Sequence, residues 1–117
     1  KPTKPHQDAA YLSIPPGNSL TLWLALESAD ANNGAMIYLR GSNLRGLQPH
    51  HNNGSNYFAK EITNYENYGS PDEITVSAVG GDLLAHHSLT IHRTEANHSE
   101  RSRNALIADF ILDSVKD

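Results

Sequence analysis

The sequence contains no cysteine, which excludes disulfide cross-links, thiolate nucleophiles and cysteine-ligated zinc or iron–sulfur centres together. Any metal must be held by His, Asp or Glu. Long apolar runs are missing too: no stretch approaches the roughly 20 residues that a membrane-spanning helix requires. The first residues, Lys1-Pro2-Thr3-Lys4-Pro5, lack the apolar segment of a secretion signal. These absences predict a cytoplasmic protein with no membrane partner. Positive charge is not in surplus either. The formal net charge is -4, so no broad positive field draws in phosphate backbones, and nucleic acid is not an expected partner.

What is present describes a globular domain. The 117 residues are 38% hydrophobic and 19% charged, which suits one domain spanning 1–117 with one core. The chain opens without methionine and reaches a dense polar motif almost at once, so an N-terminal portion is expected to be missing. The best strand signal is Leu20-Thr21-Leu22-Trp23-Leu24-Ala25-Leu26, where large apolar residues alternate at period two. Asn32-Asn33-Gly34 follows, whose Asn-Gly pair suits the positive φ of a tight turn, and then Ala35-Met36-Ile37-Tyr38-Leu39; together they predict a β-hairpin. Further strand-like runs occupy 73–79, 82–86, 88–92 and 103–111. Gly80-Gly81 and Pro15-Pro16-Gly17-Asn18 punctuate them as turn and loop. About six or seven strands result, including a short one around His6, against eight in a complete jelly roll. Between residues 41 and 72 no periodicity persists, so a long excursion with at most short helical turns is expected there.

His6-Gln7-Asp8 carries the chemistry. An imidazole and a carboxylate two residues apart on a strand point to the same side and can grip one ion together. The best third ligand is His92, which closes an apolar run. Two His and one carboxylate leave the opposite face of a metal open, an arrangement that suits non-heme Fe(II). By itself His-x-Asp is weak in a chain with seven histidines. Arg103 begins a strand-like run beyond His92, and its planar guanidinium suits a bidentate pair with a carboxylate beside the metal. Thr94 adds a hydroxyl. A plain solvated arginine beside Glu100 and Arg101 has the same spacing.

The ordered set of His6-Gln7-Asp8, the Trp23 strand, Asn33-Gly34 through Ile37-Tyr38-Leu39 to Gly41-Ser42-Asn43, Gly81-Asp82, and His92-Arg93-Thr94 with Asn97, Ser99 and Arg103 resembles the phytanoyl-CoA dioxygenase family of Fe(II)/2-oxoglutarate oxygenases. The resemblance covers nearly the whole chain. It implies an all-β double-stranded β-helix, or cupin-like jelly roll, with iron on His6, Asp8 and His92. The far carboxylate of the co-substrate 2-oxoglutarate would meet Arg103 and Thr94, with Trp23 and Gln7 lining its pocket. It also implies a small-molecule substrate and O₂ as partners, with hydroxylation accompanied by release of succinate and CO₂. Related halogenases replace the carboxylate with a small residue, so Asp8 favours hydroxylation. Where the family usually reads Pro-Gly-Ser-His, this chain has Arg40-Gly41-Ser42-Asn43, a departure expected to affect local packing or substrate shape.

Other candidates rank lower. His50-His51 and His86-His87 are adjacent pairs, and neighbouring strand residues point to opposite faces. Either His50 or His51 is a candidate substrate contact, and Tyr57, Phe58, Tyr65 and Tyr68 are candidates for an apolar lid. Asn53-Gly54-Ser55 and Asn97-His98-Ser99 match the glycosylation triplet, a frequent chance match. Two further functional readings stay open: a non-catalytic or truncated metal-binding jelly-roll module, and a hydrolase using zinc-bound water on the same ligands.

Overall fold

Alternation along each strand sets two faces, and the register between strands decides what each face meets. The computed structural model describes residues 2–56, 58–68 and 70–112. Among them it contains β1 (Thr3–His6), β2 (Ser19–Ala25), β3 (Met36–Leu39), β4 (His50–Asn52), β5 (Lys60–Ile62), β6 (Glu73–Val76), β7 (Leu83–His87), β8 (His92–Thr94) and β9 (Ala105–Ile111), with only short 3₁₀ turns between. Sheet I has the order β1-β8-β3-β6 and sheet II the order β7-β2-β9. Every pairing is antiparallel. β4 and β5 form a separate hairpin inside the long excursion, which was expected to hold helical turns at most.

The predicted β2–β3 hairpin does not form. β2 lies in sheet II and β3 in sheet I, so the Asn-Gly turn carries the chain from one sheet to the other. Its local chemistry is nonetheless what an Asn-Gly turn supplies. The fully buried Asn33 accepts from Asp30 N at 2.7 Å and donates to Ser28 O at 2.9 Å. Gly34 takes φ +91°, and a Cβ there would approach Glu95 O to 3.1 Å and Arg103 Nε to 3.3 Å. Glycine is required on both counts.

In β2 the leucines face away from the site. Thr21, Trp23 and Ala25 are buried, whereas Leu20 is 40% exposed and Leu22 and Leu24 are half-buried. Trp23 and Ala25 join Ala29, Ala35, Met36 and Ala78 in the core cluster beside the site, with Leu84 and Ala105 packed against it. A second cluster of Leu39, Ile62 and Ile91, flanked by Tyr65 and Tyr68, anchors the excursion. Among the described residues no helix is long and apolar enough to cross a membrane.

Candidate metal centre

Two polar rungs face each other across the fold. In sheet I, His6 pairs with His92 and Tyr38 also pairs with His92, so three side chains lie in register on β1, β8 and β3. In sheet II, Thr21 lies opposite both His86 and Asp109, which sets a second row across β7, β2 and β9. Residues directly opposite in antiparallel strands project to the same face. Asp8 lies between the rungs, bonded to members of both.

The His-x-Asp spacing works although Asp8 is not on a strand. β1 ends at His6, Gln7 is extended (φ -114°, ψ 135°), and Asp8 opens a 3₁₀ turn, Asp8–Tyr11. One extended residue between them suffices to bring His6 and Asp8 to the same side. His92 likewise begins β8 rather than ending a strand: residues 88–91 form a turn and its exit. Gln7 points the other way. Its amide donates to Gly46 O (3.0 Å) and Leu89 O (2.7 Å) and accepts from Gln48 N (2.8 Å). It is fully buried and does not line the cavity described below, which corrects its expected place beside the co-substrate. It clamps the base of the excursion to the site instead.

The donor atoms are arranged for a cation. His6 Nδ1 lies 2.8 Å from Lys4 O, and His92 Nδ1 lies 2.9 Å from Thr90 O. A carbonyl only accepts, so both Nδ1 atoms carry hydrogen, and in the neutral rings both Nε2 atoms present lone pairs. Those lone pairs face Asp8 Oδ1 at 3.4 and 3.3 Å. His6 Nε2 is buried with no hydrogen-bond partner. Three electron-rich atoms converging with no proton among them fit a metal ion, and the three ligand atoms lie within 4.8 Å of one another. Burial pushes the Asp8 carboxyl up, but the polar contacts with the His6, His86 and His92 imidazoles outweigh it and hold the group well below the usual carboxylate range. Asp8 therefore stays charged. Tyr38 is pushed up by burial and by the Asp8 charge, so it keeps the proton that its hydroxyl offers to His86 Nδ1 at 2.9 Å.

A cavity of about 360 Å³ opens beside these ligands, and Arg103, Thr94 and Trp23 line it. Arg103 precedes β9 rather than starting it. Its guanidinium lies 5.6 Å from the Trp23 ring and, among the described residues, has no carboxylate partner. By contrast Arg93 is paired with Glu73 and Glu95, and Arg101 with Asp30. A guanidinium stacked on an indole beside such a cluster, with no carboxylate partner among the described residues, can receive an anion. The Thr94 hydroxyl accepts from Thr3 N (2.9 Å) and meets Thr3 Oγ1 at 3.0 Å. Of the two hydroxyl protons one is shared between the pair, and the other remains for a ligand. No pattern in the sequence marks Thr3, because a register shift in β1 turns it inward.

Phe58 lines the cavity and approaches the His6 ring to 5.0 Å, at φ +51°, a conformation that non-glycine residues enter only at a cost of about 1–3 kcal/mol. Tyr11 meets His6 edge-on at 5.9 Å. Of the other candidate lid aromatics, Tyr65 and Tyr68 bond Glu73 and Gln48 and pack on the second core cluster, and Tyr57 lies outside the described residues. His50 and His51 do not line this cavity. The His50 ring is used in bonds with Gln7 N and Gln48 O. In the departing 40–43 segment, buried Ser42 is the working part: it donates to Leu39 O and accepts from Ile91 N, the residue before His92. Arg40 is exposed, and neither it nor Asn43 reaches the cavity.

A sequence model described as phytanoyl-CoA dioxygenase (PhyH) matches residues 1–105. The chain belongs to the phytanoyl-CoA dioxygenase family. It is 32% identical over 110 residues to the peroxisomal phytanoyl-CoA dioxygenase of Bos taurus, covering 90% of this chain and 32% of that one. Phytanoyl-CoA dioxygenase 1 of Oryza sativa subsp. japonica is 33% identical over 107 residues, 87% of this chain and 36% of its own. Among solved structures, the non-heme monooxygenase ThoJ superposes with a TM-score of 0.83 at 27% identity, covering 99% of this chain and 42% of that one. The epimerase SnoN, solved with Fe3+, alpha ketoglutarate and nogalamycin RO, gives 0.75 at 26%, covering 97% and 43%. The fold is thus an all-β jelly roll, shared with these solved non-heme enzymes. The chain spans about a third of the length of these curated relatives.

Proposed function

We propose that this chain forms the metal- and co-substrate-binding core of an Fe(II)- and 2-oxoglutarate-dependent dioxygenase that hydroxylates a small organic substrate, with release of succinate and CO₂. One observation carries the reading: His6 Nε2, His92 Nε2 and Asp8 Oδ1 converge with both imidazoles held in the tautomer that leaves lone pairs inward. His6, Asp8 and His92 would hold the iron, which when bound supplies the activation of O₂. Arg103 and Thr94 would bind the far carboxylate of 2-oxoglutarate, with the Trp23 ring supporting the guanidinium. Asp8, charged and half-buried against three imidazoles, would supply an anionic ligand where a halide would otherwise bind. Phe58, Tyr11 and Leu12 shield the ligand cluster from water on the side of the 3₁₀ turn.

The test is anaerobic titration with Fe(II) and 2-oxoglutarate, read by the visible metal-to-ligand charge-transfer band. Wild type should develop the band, and Asp8→Ala should lose both it and hydroxylation. A folded wild-type protein that stays spectrally silent would overturn the proposal. A second reading, a metal-binding jelly-roll module without turnover, is favoured by the cavity's open flank, where Ile107 is 57% exposed and water is not excluded. It predicts the band without succinate formation.

A further inference from the structure

His86 is 5% exposed and takes no place among the three converging ligand atoms, yet both of its ring nitrogens are engaged at the site. Its Nε2 lies 3.0 Å from Asp8 Oδ2. A carboxylate oxygen only accepts, so this nitrogen carries the hydrogen, and Nδ1 accepts the Tyr38 hydroxyl proton. A directed chain results, from Tyr38 to His86 to Asp8. The rings of His86 and His92 lie 4.3 Å apart, which fixes the plane of the donor.

Among the described residues Asp8 has one other neutral donor. Thr21 Oγ1 is 3.0 Å from Asp8 Oδ2, but it is also 2.6 Å from Asp109 Oδ1. A hydroxyl has a single proton, so Thr21 serves one of the two carboxylates at a time. His86 is the donor that Asp8 does not share. The two oxygens of Asp8 are therefore unlike: Oδ2 is bound from sheet II, and Oδ1 faces the imidazoles of sheet I. A carboxylate with both oxygens free can chelate a cation through both and so fill one more coordination position.

We infer that His86 is a positioning residue that holds Asp8 Oδ2 away from the metal, so that the carboxylate binds through Oδ1 alone and leaves coordination positions open for a chelating co-substrate. This rests on the metal reading proposed above. Outer partners of metal ligands typically change affinity by about 10–100-fold when removed.

The test uses anaerobic Co(II) and Fe(II) titrations, with the Co(II) d–d spectrum as a report of coordination number and circular dichroism as a check of folding. His86→Leu should weaken binding of either ion by about 10–100-fold and alter the Co(II) band shape, and His86→Gln, which keeps a donor, should recover most of the loss. Tyr38→Phe, a milder change that leaves Asp8 and His86 in place, should cost about fivefold, the size of one neutral hydrogen bond. It decides the matter should His86→Leu not fold. His87→Gln, on the opposite face of β7, should match wild type. Unchanged affinity and spectrum in folded His86→Leu, or in Tyr38→Phe if that variant alone folds, would overturn the positioning role while leaving the metal reading intact. An equal loss in His87→Gln would point to general damage to the strand and overturn the role too. A wild type that binds neither ion would overturn the metal reading and this inference together.

Discussion

Sheet I and sheet II contribute to the same site by different means. Sheet I presents its two imidazoles on neighbouring strands and fixes each with a carbonyl two residues upstream, so each ring is held by its own local backbone. Sheet II presents no ligand of the cluster but supplies the hydroxyl and imidazole that orient the carboxylate. Their outer faces differ as well. Beyond sheet I, Leu39 and Ile91 are covered by Ile62, Tyr65 and Tyr68. The outer face of sheet II places Leu20 opposite Phe110, and Leu24 between Leu83 and Leu106; of these, Leu20, Leu83, Leu106 and Phe110 are 40–61% exposed. The stabilising contacts of sheet II therefore lie on its inward side, whereas sheet I is tied on both.

That contrast can be broken by substitution. Trp23→Ala, on the inner face of sheet II, removes the largest side chain of the core cluster and the surface on which Arg103 rests. A loss of about 3–5 kcal/mol is expected, measured as a lower urea midpoint with unchanged slope. Ser42→Ala strips the buried Ile91 N–H of its partner beneath sheet I, and about 1–3 kcal/mol should go with it. Fe(II) affinity should fall along with stability, because His92 is the next residue.

Glu73 on β6 gives a smaller, pH-dependent effect. Hydrogen bonds from Arg93 hold its carboxyl below the ordinary range, against partial burial that raises it. A depressed folded value stabilises the protein above the unfolded pKa of about 4.3 and is lost as pH falls through the folded value. Glu73→Gln should therefore cost about 1 kcal/mol near neutrality, with the gap to wild type closing in acid, as thermal melts across the acid range would show. Leu106→Lys on the outer face of sheet II should change stability by less than about 0.5 kcal/mol. A loss comparable to that of Trp23→Ala would mean that this face is packed against something in solution, and the contrast between the sheets would fail.

Local chemistry was legible in the sequence and long-range pairing was not. His6-Gln7-Asp8 announced its shared face because one extended residue separates the two ligands, whichever element follows. The alternation in β2 announced a strand, but the leucines that made it conspicuous line the outer face, since the inner one must accommodate Thr21 at the site and Trp23 in the core. Asn33-Gly34 announced a turn without saying which sheet the next strand would join. His86 was set aside because it was read with its neighbour His87. The two do face opposite ways, and the role of His86 comes from Thr21, its cross-strand partner, which only register reveals. Thr3, Tyr38 and Asp109 were hidden for the same reason.

The register shift between Thr3 and His6 settles a question of parity. Residues three apart on a regular strand project to opposite faces, yet both of these side chains line the cavity, because the extra residue in β1 resets the count. Losing Lys4 alone would leave Thr3 and His6 two residues apart, the regular spacing that matches Thr94 and His92, so both side chains would still face inward, without the Lys4 carbonyl that fixes the His6 ring. The bulge thus lets β1 carry one residue beyond the regular count without turning either side chain away from the site.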